Sequence, residues 1–293
     1  MVNGFEFLLA PIYSYPFMQR SLIAVICLGT ILPILGLNMT TKRLSMIGDA
    51  LSHTALAGVA IGLLVGWMPV AMSVVVSVVA GVAIELIRNQ FSKYSELSLA
   101  IVMSVSVGIA GILTKYVSSN RFDSYLFGSV NLVTPDNLWI IIPVSVFIVL
   151  FTLAFYRTNM YVSYNQYEAK ISGLPVKTLN MLNTVFTAAA VALSSSIIGS
   201  LVVASLLVIP VATSLQFSRS YFVTMIAAIA LSLVSGVVGL TISFPWGTNS
   251  GATIVVIATG FLAVALAGKG IARGVSALVT SRRNREANGG KGQ

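Results

Sequence analysis

The sequence predicts an all-α fold: a polytopic helical membrane protein of about nine transmembrane helices, with the N-terminus outside and the C-terminus cytosolic. Composition is the first ground. Of 293 residues, 57% are hydrophobic and only 9% are charged, with a mean hydropathy of +0.94. A soluble domain carries about 25% charged residues to clothe its surface, so the solvent of this chain is lipid. The second ground is a series of apolar runs of spanning length, and the third is the side on which the basic residues fall. The net charge of +9 is that of short cytosolic loops on an apolar chain, which excludes a nucleic-acid binder.

Residues 1–16 form an extracytoplasmic N-terminal segment; no basic region precedes an apolar one there, so no cleavable signal peptide is expected. The transmembrane domain covers 17–279. Its runs are 17–37, 46–66, 70–87, 97–117, 138–156, 179–196, 201–217, 221–243 and 252–267. Only Gly199 and its serines separate the two runs between 179 and 217, which read either as two spans or as one span plus a re-entrant piece. Lys42, Arg43, Arg88, Lys93, Arg157, Lys170, Lys177, Arg219 and Lys269 fall on one side when the N-terminus is outside, and positive loops stay in the cytosol. Trp67, Trp139 and Trp246 then fall at outer boundaries, where an interfacial aromatic belt belongs. Residues 280–293 are charged, Gly-rich and without apolar period, so a disordered basic cytosolic tail is expected. Cys27, the single cysteine, cannot form an internal disulfide.

The polar inventory is short enough to search completely. Glu85 has Arg88 three residues on, and helix-surface pairing accounts for it. Asp123 follows Arg121 in an outer loop, and Asp136 follows Pro135 at an apparent helix start, so both read as structural. Asp49 and His53 differ. They stand four residues apart in Met46-Ile-Gly-Asp-Ala-Leu-Ser-His53, a helical stretch that puts both on one face. Carboxylate oxygen and imidazole nitrogen suit zinc or manganese. The bland alternative is a helix-start Asp hydrogen-bonded to a partly buried His; against it, an ionisable pair within a span is functional by default. Two ligands are too few, and a second copy of the chain would bring the total to two Asp and two His on a symmetry axis. Gly58, Gly62 and Gly66 follow small-xxx-small spacing, but on a face away from Asp49, which suits packing against a neighbour within the chain.

The longest cytosolic connection, 159–178, contains Glu168-Ala-Lys-Ile-Ser-Gly173 and then Leu174-Pro175, which reads as a short amphipathic helix ended by Gly and Pro.

With that loop the chain resembles the permease subunits of bacterial zinc and manganese ABC uptake transporters, the ABC-3 family. The marks are Arg43-Leu-Ser-Met-Ile-Gly-Asp-Ala-Leu-Ser-His53, Gly58-Val-Ala60, Tyr125-Leu-Phe-Gly128, Glu168-Ala-Lys-Ile-Ser-Gly-Leu-Pro175, Val208-Ile-Pro-Val-Ala-Thr213 and Ser250-Gly-Ala-Thr253. The resemblance implies that Asp49 and His53 contact the translocated metal and that Glu168, Ala169 and Gly173 belong to a coupling helix docking on an ATPase. It also implies a complex of two permease chains and two cytosolic ATPase chains, fed by an extracytoplasmic metal-binding protein. Zinc or manganese is then cargo, with no permanently bound cofactor. After His53 the chain reads Leu56-Ala57-Gly58, as in zinc-type relatives, where many manganese-type relatives have Leu-Pro-Gly; zinc is favoured.

Gly268-Lys269 is followed by Gly270 and lacks the upstream glycine of a phosphate loop, so the chain is not expected to hold ATP or to be an enzyme. An intramembrane enzyme finds no H-E-x-x-H or G-x-S-x-G. The alternative transporter class, driven by an ion gradient with Asp49 as proton carrier, often shows two related halves, and no internal repeat is evident.

Overall fold

The computed structural model describes residues 15–91, 94–117 and 135–289. Among them the regular structure is entirely helical: α1 (Pro16–Thr41), α2 (Ile47–Val65), α3 (Pro69–Gln90), α4 (Ser95–Thr114), α5 (Pro135–Ala154), α6 (Tyr156–Tyr164), α7 (Gln166–Ile171), α8 (Val176–Ile198), α9 (Ser200–Ser214), α10 (Tyr221–Trp246) and α11 (Ser250–Gly289). Every apolar run thus becomes a helix. Proline opens α1, α3 and α5, where its missing N–H has no intrahelical acceptor to lose. Asp123 and Tyr125 to Gly128 lie outside the described residues.

Among the described residues seven helices are long and apolar enough to cross a membrane: α1, α2, α3, α4, α8, α10 and the 250–270 part of α11. An eighth crossing arises if α5 and α6, bent by 70° at residue 155, are one broken span. The expected count of about nine therefore meets its limit at α9. Its 15 residues span roughly 22 Å at 1.5 Å per residue, less than the roughly 30 Å of a hydrocarbon core. The break before it is Gly199, at φ +98°, a conformation open to glycine and costly for other residues. Although short, α9 reaches between both ends of the bundle. Val202 lies near Gly251 at the start of α11, and Val211 packs with Leu37 and Tyr221 at the other end.

Helices α1, α2 and α8 are the most buried of the spans, and α4 and α11 the least. α2 lies against α3, α4, α8 and α9, which places it in the middle. Close approach there needs glycine. A Cβ on Gly58 would lie 2.6 Å from Ser73 Cα, and one on Gly62 2.9 Å from Pro69 Cα, so both seat α2 on α3. Gly66 has another role: at φ +76° it is the left-handed cap that ends α2, with no atom within reach of an added Cβ.

At the far end α11 runs on to Gly289, so the stretch from 280, read from sequence as an unstructured tail, continues the helix up to that residue. Propagating a formed helix costs little, and Arg, Glu and Ala favour it.

Candidate metal site

α2 opens at Ile47 without a side-chain cap, and Asp49 lies in its first turn, where a negative charge complements the helix dipole. His53 follows one turn later, about 6 Å along the axis. The decisive feature is exposure. Of residues 47–60, only Asp49 and His53 are not buried. Four packed helices thus cover every face of this segment except the narrow one that carries a carboxylate and an imidazole.

The two side chains do not pair with each other: the sole ion pair among the described residues is Arg88–Glu85, and no hydrogen bond joins Asp49 to His53. That removes the bland alternative of a self-satisfied Asp–His contact. Nor does a third His, Cys, Asp or Glu join them among the described residues. One chain offers two open donors, short of the four that a closed zinc site takes.

The segment around Glu168 is a formed helix. Asn165 caps α7, its Oδ1 accepting from the N–H of Tyr167 at 3.1 Å and of Glu168 at 3.3 Å. At the other end Leu174 N–H donates to Ala169 C=O and Gly173 N–H to Lys170 C=O, with Gly173 at φ +81°: the Schellman arrangement that a glycine permits. Ala169 is fully buried among Val162, Val176 and Leu179, while Glu168 and Gly173 are exposed. So Ala169 holds α7 to the body, and Glu168 and Gly173 face outward.

Two groups of residues escaped the sequence reading. Asn183 Nδ2 donates to Asn159 Oδ1 at 2.9 Å, tying α6 to α8. Tyr221 Oη and Ser163 Oγ both donate to Asn38 Oδ1, at 2.6 and 3.4 Å, tying α10 and α6 to α1. These bonds fasten the arm that carries α7; asparagine inside the apolar run around Asn38 was the available signal. The second group surrounds Glu85. Its pairing with Arg88 is present at 2.6 Å, but not on the helix surface: Glu85 is 1% exposed and accepts from Thr184 of α8. Facing helices pulled inward a pair that wheel spacing alone leaves outside. Lys42, in the α1–α2 turn, lies within their field. Burial, reinforced by Arg88 and opposed by Glu85, pushes its ammonium down to about 8.

Comparison with known proteins places this architecture. The ABC 3 transport family model matches residues 14–269. The chain belongs to the ABC 3 transport family. A Treponema pallidum protein described as a "probable metal transport system membrane protein" is 34% identical over 266 residues, covering 89% of this chain and 99% of the relative. The high-affinity zinc uptake system membrane protein ZnuB of Haemophilus influenzae is 30% identical, covering 80% and 91%. A manganese transport system membrane protein, MntC of Halalkalibacterium halodurans, is 24% identical, covering 90% and 91%. Among solved structures, PsaBC from Streptococcus pneumoniae in complex with Fab superposes with a TM-score of 0.79 at 23% identity, over 90% of this chain and 95% of that one; at that identity the likeness is one of fold. This ABC 3 chain is a multi-pass protein of a bacterial cell membrane.

Proposed function

We propose that this chain is the membrane-spanning permease subunit of an ATP-driven importer of a divalent transition metal, zinc rather than manganese. The observation that carries the reading is the single open face of α2 with its unpaired Asp49 and His53. Family membership and relatives named for zinc and manganese transport support it; Leu56-Ala57-Gly58 after the histidine supports zinc. A second copy, related by a two-fold axis, completes the site with another Asp49 and His53. Nine crossings, with α9 as the ninth, put the N-terminus outside and the basic connections inside. Residues 1–16 are then extracytoplasmic, the transmembrane domain is 17–279, and the basic segment 280–293 is cytosolic.

Mechanistically, ATP-driven closure of a cytosolic ATPase pair pushes on Glu168 and Gly173 of the 157–178 loop. The buried asparagine bonds carry that displacement from α6 to α1 and α8, so that the bundle alternates between outward-open and inward-open states. The ion, delivered by an extracytoplasmic metal-binding protein, rests at Asp49 and His53, held firmly enough to enter and loosely enough to leave.

The test is uptake by the reconstituted complex with zinc and manganese in direct competition, beside Asp49→Ala and His53→Ala. Both variants are expected to assemble and to lose transport. Full uptake by either at limiting metal removes the site. Manganese uptake indifferent to zinc reverses the choice of ion, and uptake without the ATPase turns the reading to a gradient-driven transporter.

A further inference from the structure

A second site opens where α1 turns into α2. A cleft of about 930 Å³ lies between Lys42, Arg88, Ser95 and the opposite wall of Lys170 and Lys177, with four cations and no acid among its described lining residues. Lys42 is only 9% exposed, and its Nζ has no hydrogen-bond partner. Arg88 is engaged by Glu85 and Lys170 and Lys177 are exposed to water, so Lys42 is the buried donor left unmatched. An ammonium withdrawn from water with none of its three N–H groups paired is costly unless an anion meets it.

Three features say which anion. Ser95, which also lines this cleft, is the first residue of α4, so the unsatisfied N–H groups and positive dipole end of a 20-residue helix add to the ammonium. A second cavity, of about 640 Å³, lies against the same Lys42 and Ser95 and is bordered by Arg43, Glu96 and Leu97. From there an exposed apolar stripe of Leu97, Ile101 and Val105 runs up α4 at four-residue spacing. Phosphate oxygens answer the basic end, and acyl chains answer the stripe.

We propose that Lys42, the α4 N-terminus and Arg88 bind the headgroup phosphate of an anionic phospholipid whose acyl chains lie along Leu97, Ile101 and Val105. Basic pockets between membrane helices select such headgroups. The site requires only that the chain sit in a bilayer, so it stands or falls independently of the metal reading.

The test uses the full chain purified in non-ionic detergent, with bound lipid followed by native mass spectrometry. Phosphatidylglycerol is expected to bind in preference to phosphatidylcholine, and millimolar inorganic phosphate is expected not to displace it. Lys42→Gln should weaken phosphatidylglycerol binding by about fivefold, the worth of one surface-proximal cation, and Lys42→Arg should retain it. Leu97→Glu, on an exposed position that does not threaten folding, should weaken it as well. Equal retention by the parent, Lys42→Gln and Leu97→Glu overturns the proposal. Ready displacement by inorganic phosphate overturns the lipid assignment. Loss of ATPase copurification in Lys42→Gln with lipid binding intact overturns it in favour of a protein contact.

Discussion

Replacing Gly58 by alanine probes the seat of α2, the helix proposed to hold the metal. The new methyl would lie 2.6 Å from Ser73 Cα and 2.9 Å from Met72 O, both backbone atoms that cannot rotate away. Ordinary contact begins near 3.4 Å, so α3 must retreat by about 0.8 Å, the difference between that limit and 2.6 Å. The α2–α3 connection is a tight turn around Gly66, which resists such a retreat. Overpacking of this kind costs about 1–3 kcal/mol, while alanine recovers up to about 1 kcal/mol of helix propensity. The net expectation is a loss of roughly 1–2 kcal/mol. Thermal unfolding of the detergent-solubilised permease measures it, with Gly260→Ala as control, since a Cβ at Gly260 meets nothing within 4 Å. The control should match the parent or exceed it slightly. Because Gly58 shares a helix with Asp49 and His53, metal affinity should fall with stability. A Gly58→Ala protein as stable as the Gly260→Ala one would refute the packing argument.

Further outcomes follow from other parts of the molecule. Gly173→Arg puts a bulky cation at φ +81° in open space; insertion should be intact and ATP hydrolysis uncoupled from transport, and normal transport with normal ATPase copurification would count against α7 as the docking helix. Asn183→Ala leaves Asn159 Oδ1 buried without its donor, a loss of about 1–3 kcal/mol; hydrogen exchange should quicken in α6 and α7 ahead of α1, and unchanged exchange there argues against the tie. Lys42 sits near 8 when folded against 10.5 unfolded, so between these values the folded chain holds fewer protons and its stability rises with pH. Binding of phosphatidylglycerol, which needs the ammonium, should instead decline from pH 7 to pH 9. Arg88, Glu85 and Glu96 face Lys42 from α3 and α4, and Lys170 and Lys177 face it across the cleft; Lys42→Arg should flatten the profile.

Hydropathy alone marked the helices. The runs 46–66 and 221–243 fall within a few residues of α2 and α10, because an apolar stretch in lipid must satisfy its own backbone and the helix is the way to do so. Turn chemistry was legible too: Gly199 as a break, and Gly173 with Pro175 as the end of α7, since these residues act on their own backbone. The spacing of Asp49 and His53 put them on one face for the same local reason.

Long-range contact decided the rest. Wheel spacing paired Glu85 with Arg88, but only the approach of Thr184 on α8 buried the pair. The 70° bend between α5 and α6 carries no proline at residue 155; Asn159 and Ser163, held by Asn183 and Asn38, fasten the bent arm from other helices. That Asp49 and His53 stand alone uncovered, and that Lys42 is buried without a partner, depend on which neighbours close over α2 and the turn before it. In lipid every apolar face is equally content with a bilayer, so hydropathy says where a helix lies and not which helix it touches; small-residue fit and buried hydrogen bonds make that choice.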